Sequence, residues 1–279
     1  MVSGDIKALG CACSTVRVRV HSVSAPQQAQ REGREKIPLN AELIDAAWGE
    51  LCSTNTRLHD GLILGVDAFD GSSGEFDASP AAYRHLAAQG YTIQAGPRAG
   101  ATVPDLGVRL LGVKALITAA GSDGQDHVLI LRRSPEVRVY ANMWEVGPGG
   151  GVEVPHGPVP VPSAGAGQEG GEMTWTGLLA TLAREAMEEL AVDLAIHCHA
   201  PSLHEVYADH VAASFDIVVG YRWKATVNPK AGWCHIGERD WEYSDAAWLA
   251  KADTARWAAN AKLVSPLARV VLTEWAGRQ

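Results

Sequence analysis

Hydrophobic and polar residues alternate along STVRVRVHSVSA, residues 14–25, and this two-residue period predicts a strand with one solvated face. The period lengthens in NAELIDAAWGEL, 40–51, where Leu43, Ile44, Ala47 and Leu51 recur at helical spacing behind an asparagine cap. LHDGLILGVDAF reads as a turn and then a strand, and SPAAYRHLAAQG as a short helix opened by serine or proline and closed by glycine. After GPRAGATVPD the texture changes. LGVRLLGVKALITAA and DHVLILRRS are apolar strands joined by the turn-rich GSDGQD. MWEVGPGGGVE begins as a strand and runs into a glycine loop, and the Pro-, Gly- and Ala-rich 154–172 predicts an irregular, loosely packed excursion. TWTGLLATLAREAMEELAV is an amphipathic helix with Leu179, Leu182, Ala186 and Leu190 on one face and Glu185, Glu188 and Glu189 on another. The strands LHEVYA, SFDIVVGYRWKA and DAAWL follow, then a final helix, LVSPLARVVLTEWAG, with a Ser-Pro start.

These strands lie too close together for a helix between each pair, which predicts an α/β or α+β sandwich and excludes a parallel doubly wound sheet. With 279 residues there is room for one large domain or two smaller ones. The change of texture predicts an N-terminal accessory domain at 1–103 and a catalytic domain at 104–279, carrying an inserted loop at 154–175. A 47% apolar and 20% charged composition is that of an ordinary globular chain, and a net charge of −8 argues against a generic nucleic-acid or anionic-membrane surface. No apolar run reaches the roughly 18 residues of a membrane helix. The first twenty residues lack a basic region followed by a long apolar stretch, so no secretory leader and a cytoplasmic location are expected. Five scattered cysteines read as free thiols, and the His-Cys-His run at 197–199 lacks a second ligand cluster for zinc.

The chemistry concentrates in LAREAMEELAV, 182–192. Residues three and four apart on a helix are neighbours, so Glu185 sits beside Glu188 and Glu189, and Arg184 beside Glu188. Taken alone, such a charge run is usually a solvated helix face. Three carboxylates on one face also make an oxygen-rich patch suited to a hard cation such as Mg²⁺. Arg184 can hold one carboxylate in place. GPGGGVE upstream lets the backbone approach a metal or phosphate closely, because glycine adopts conformations other residues cannot. The combination suits attack of water on a diphosphate, with the cation neutralising charge and activating the water.

GGGVE followed by REAMEELAV resembles the Nudix box, G-x5-E-x7-R-E-U-x-E-E-x-G-U with U a bulky apolar residue. Gly150 matches the leading glycine, and Arg184, Glu185, Glu188, Glu189 and Val192 match the helical end. The run of strands before the box also looks like that family's, and the resemblance covers about residues 105–273. It implies a Nudix-type α/β/α sandwich with a mixed sheet, plus an N-terminal α+β accessory domain. It further implies Mg²⁺, or Mn²⁺ in its place, held by Gly150, Glu185, Glu188 and Glu189, with Arg184 orienting Glu188. The chain departs from the pattern as well. Between Gly150 and Arg184 stand 33 residues where the pattern has 13; Thr176 stands where it has glutamate, and Ala191 where it has glycine.

A small group of Nudix enzymes that cleave UDP-glucose and UDP-galactose is similar in having a long insertion inside the box and an extra N-terminal domain. AAWGELCSTNTRLHDGLILGVDAF and AAYRHLAAQ resemble that domain's pattern. The resemblance implies a nucleotide-sugar diphosphatase releasing UMP and a sugar 1-phosphate. The N-terminal segment would then recognise part of the substrate or build a homodimer. Arg132 and Arg133 are candidates to contact phosphate, although only one of two neighbours on a strand can face a site. Tyr207 and Trp144 are candidates to stack on a base, with a core role as the default. Glu205, Glu238, Asp240 and Glu242 are candidates for a further ligand or base. The rival readings are a Nudix-fold nucleotide sensor without turnover, which Thr176 and Ala191 favour, and a Nudix hydrolase of another diphosphate. A prenyl diphosphate isomerase would want a cysteine at the site, and none lies between Cys52 and Cys198.

Overall fold

The computed structural model describes residues 6–21, 40–154, 171–230 and 241–278. The protein is a mixed α/β fold that divides into two compact units. One comprises 1–15, 112–150 and 176–279; the other comprises 16–111 and 151–175. Among the described residues, 6–15 therefore belong with the C-terminal part of the chain, and 151–154 and 171–175 with the N-terminal part.

In the second unit, β2 (Arg17–Val20) runs parallel to β4 (Glu75–Ala82), which pairs antiparallel with β3 (Leu62–Asp70). Helix α1 (Ala41–Thr54) starts where the sequence predicts it to, because the Asn40 side chain accepts the Leu43 N–H at 3.1 Å. The short helix α2 (Tyr83–Ala88) begins later than predicted. Ser79 and Pro80 belong to β4 instead, with Pro80 opposite Leu64 of β3, so strand pairing overrides the helix-start signal there. The excursion predicted over 154–172 falls mostly outside the described residues. Its end, Glu172–Met173 (β9), pairs with β2.

The first unit is built on β5 (Leu110–Ala120) and β6 (Asp126–Arg133). Strand β5 neighbours β11 (Ser214–Arg222), then β10 (Ser202–Asp209) and β1 (Ile6–Ala8), while β6 pairs with β12 (Tyr243–Ala250) and β7 (Trp144–Glu145). Val113, Ala115 and Ile117 are fully buried, and so is Leu116 on the alternate face, which is why β5 reads as a continuous apolar run. Leu116, Val128, Ile130, Val146, Tyr207 and Val218 pack with Val271 and Leu272 in one core cluster. Those last two belong to α6 (Pro266–Gly277), capped by Ser265; α5 (Lys251–Asn260) precedes it. Helix α3 (Trp175–Leu190) carries the glutamates and buries Leu178, Leu182, Ala186 and Leu190. A one-turn helix, α4 (Leu194–His197), lies where the His-Cys-His run begins. There His197 stacks on Trp223 and the Cys198 thiol is buried, pushed up to about 11. Among the described residues, Cys11, Cys13, Cys52 and Cys198 form no disulfide.

Candidate metal and phosphate site

Strand β8 (Gly149–Gly151) brings a bare backbone against α3. The Gly149 N–H donates to Glu189 Oε2 at 3.0 Å. A methyl group on Gly150 would lie 2.5 Å from the Glu185 carboxyl carbon, so only glycine leaves that carboxylate room. At Gly149 a methyl would lie 2.4 Å from the Val113 carbonyl oxygen of β5. The glycine loop and the helix glutamates singled out in the sequence are thus in contact, although the chain between them is long.

Arg184 spans two of the glutamates, donating to Glu188 at 2.9 Å and to Glu185 at 2.7 Å. Glu189 differs from both, being only 5% exposed. Burial raises its affinity for a proton well above the usual carboxylate range, and repulsion from Glu242 and Glu185 adds to this against the pull of the Gly149 N–H. Ala191 adopts φ +54° just beyond the helix end, the conformation for which glycine is favoured. Bonds from its N–H to Met187 and from Val192 N–H to Ala186, both 3.1 Å, close the helix. Thr176 is exposed in the first turn of α3.

Behind Glu189 lies a charge cluster that sequence reasoning missed. Glu145, 3% exposed, accepts from Arg133 at 2.6 Å, from Tyr243 Oη at 3.0 Å and from Lys114 at 3.2 Å. Burial alone would raise its pKa, but Lys114 and Arg133 together pull it down to about 2. Lys114 is the one charged residue in the apolar run of β5, and that was the available signal.

The remaining sequence candidates scatter. Arg133 turns inward, binding Glu145 and the Val139 carbonyl, so its guanidinium is committed to the protein. Arg132 is on the other side of the strand, with Nε to the Asn142 carbonyl at 3.4 Å. Tyr207 is a correction: it is 0% exposed, its hydroxyl donates to Glu274 at 2.6 Å, and it leaves no ring face for a base. Trp144 meets Trp257 edge-on and packs against the same core. Glu205 takes the N–H groups of Cys11 and Val206 beside a bulge in β10, a structural role. Glu242 is close enough to repel Glu189, whereas Glu238 and Asp240 lie outside the described residues.

The donor set fits a hard divalent cation by its chemistry: carboxylate oxygens, a glycine backbone cradle, and a buried carboxylate repelled by its neighbours. As the side chains stand, no three His, Cys, Asp or Glu groups among the described residues are gathered tightly enough to enclose an ion. Arg184 holds Glu185 and Glu188, so binding an ion requires side-chain turns on α3.

No family model and no curated protein matches the chain. It is similar to solved structures. One is a Deinococcus radiodurans protein, 22% identical over 58% of this chain and 81% of that one, TM-score 0.38. A second is the Nudix hydrolase RenU from M. smegmatis, 13% identical, covering 60% and 83%, TM-score 0.38. A third is the NUDIX domain of Shewanella oneidensis NrtR in complex with ADP ribose, 19% identical, covering 61% and 87%, TM-score 0.35. The residues, not these likenesses, carry the functional reading.

Proposed function

We propose that the protein is a Nudix-type hydrolase that uses Mg²⁺, or Mn²⁺ in its place, to cleave a nucleoside diphosphate linked to another group. The observation that carries this reading is the convergence of Gly149 and Gly150 with Glu189 and Glu185. In the reaction, a water oxygen bonds to one phosphorus, the bridging P–O bond breaks, and the water's proton passes to a carboxylate base. The cation, when bound, neutralises phosphate charge and makes water more acidic. Glu185, Glu188 and Glu189 would hold it with the Gly150 carbonyl, and Arg184 would orient Glu188. Glu145, fixed by three donors, would keep the floor of the site rigid.

Within that class the proposed substrate is a UDP-hexose, split to UMP and a sugar 1-phosphate. Support comes from the long insertion inside the box and the N-terminal pattern around Trp48 and Tyr83. The N-terminal segment would serve substrate recognition or a homodimer. The second reading is a nucleotide sensor without turnover, favoured by Ala191 in its strained conformation and by Thr176 in place of a carboxylate. Incubation with UDP-glucose, UDP-galactose and nucleoside triphosphates, with and without Mg²⁺, separates them. UMP from the UDP-sugars supports the enzyme reading. Faster cleavage of triphosphates overturns the sugar assignment alone, and tight binding without products supports the sensor.

A further inference from the structure

Lys114 is an unusual residue for its place. Strand β5 is apolar on both faces, and a lysine there forfeits much of its hydration. Its side chain is 16% exposed, and its ammonium donates to Glu145 Oε2 at 3.2 Å. A second buried carboxylate, on β11, draws its charge. Asp216 is 5% exposed; its Oδ2 accepts the Ser214 hydroxyl at 2.6 Å. Its Oδ1 is aimed at the bare α-carbon of Gly112, where a methyl would lie 2.7 Å away. Gly112 and Lys114 share a face of β5, two residues apart. The same hypothetical methyl would lie 3.7 Å from the Gly150 carbonyl oxygen, so Asp216 reaches toward the glycine loop. The stem of Lys114 is the floor of that loop, since a methyl on Gly149 would sit 2.7 Å from Lys114 Cγ.

We propose that Lys114 is a built-in cation of the site, a positioning residue that neutralises Glu145 and Asp216, carries the Gly149–Gly150 backbone, and sets how strongly the carboxylates attract a divalent ion. The inference rests on the metal reading above and goes beyond it. Glu145 also has Arg133 and Tyr243, whereas Asp216 accepts the Ser214 hydroxyl and is drawn by the Lys114 charge. Loss of the ammonium takes that attraction away from the buried Asp216, a state that favours uptake of another positive charge. A fixed positive charge beside the site repels an incoming ion, and its removal strengthens attraction at short range even through a solvent-like dielectric.

The test is Mn²⁺ binding to the full chain, followed by the paramagnetic resonance of the free ion, together with unfolding temperatures. Lys114→Met keeps the stem and deletes the charge, and it is expected to bind Mn²⁺ about fivefold or more tightly than wild type. Asp216→Asn is expected to bind it more weakly, and the double variant to return to within about twofold of wild type, because the two charges cancel. A merely structural lysine gives no such opposed signs. Equal or weaker binding in a folded Lys114→Met overturns the proposal. Should that variant not fold, unchanged Mn²⁺ affinity in a folded Asp216→Asn overturns it equally. Mn²⁺ that binds Glu189→Gln as tightly as wild type defeats the metal reading itself, whereas loss in Glu189→Gln with no tightening in Lys114→Met defeats only the role of Lys114.

Discussion

Gly149 and Gly150 are neighbours with different reasons to be glycine, and substitution separates them. A methyl on Gly150 meets the end of a flexible side chain, Glu185, which can swing away. Gly150→Ala should therefore keep its unfolding temperature within a few degrees yet lose at least about tenfold in Mn²⁺ affinity and turnover. A methyl on Gly149 meets the Val113 backbone, which cannot move alone, so Gly149→Ala should lose roughly 1–3 kcal/mol of stability by denaturant titration. Ala191 makes a third residue-level case. Its left-handed conformation costs about 1–2 kcal/mol, from which the greater unfolded-state freedom of glycine subtracts about 0.4–1 kcal/mol. Ala191→Gly should stabilise the protein by about 0.5–1 kcal/mol, seen as a rise of a few degrees in Tm. An unchanged or lower Tm would show that the strain is relieved elsewhere.

At the scale of elements, the strands and helices legible in the sequence were those with a local cause. Helices α1 and α6 begin at side-chain caps, Asn40 and Ser265, which the chain displays openly. Strands β5 and β6 are long apolar runs. Strand β4 was not read, because a Ser-Pro pair imitates a helix start and only pairing with β2 and β3 reveals the strand. Helix α5 follows β12 directly, with Ala250 at its N-cap and no side-chain cap, so it left no mark. The site divides the same way. Its glycines and helix glutamates were visible as a motif, whereas Lys114, Glu145, Asp216 and Tyr243 come from four separate strands that only the tertiary fold assembles. Their charges have a pH signature. The Glu145 carboxyl, ordinarily near 4.5, is held at about 2, so it contributes stability above the ordinary value. That contribution is lost as pH falls from about 4.5 toward 2. Glu189 has the opposite sign: its raised folded value costs stability as pH climbs above the ordinary carboxylate range, and a bound cation removes that cost. Added Mn²⁺ should therefore raise Tm more at pH 8 than at pH 5. Equal shifts at the two pH values would contradict the assignment of Glu189 as a ligand.

For the whole molecule, the two units do not follow the simple cut at residue 103 that the texture of the sequence suggests. The chain passes between them at four points, after residues 15, 111, 150 and 175. No helix among the described residues is long and apolar enough to cross a membrane. At this scale the proposed activity is metal-dependent hydrolysis of a diphosphate bond by the whole chain. The most direct measurement is ³¹P resonance of UDP-glucose incubated with the full-length protein in ¹⁸O-labelled water, with and without Mg²⁺, for wild type and Glu189→Gln. The expected result is UMP and glucose 1-phosphate, label in one of the two phosphates, a requirement for Mg²⁺, and a rate about 100-fold or more lower in a folded Glu189→Gln. Cleavage at an undiminished rate by Glu189→Gln, or by the wild type without any divalent ion, would contradict it.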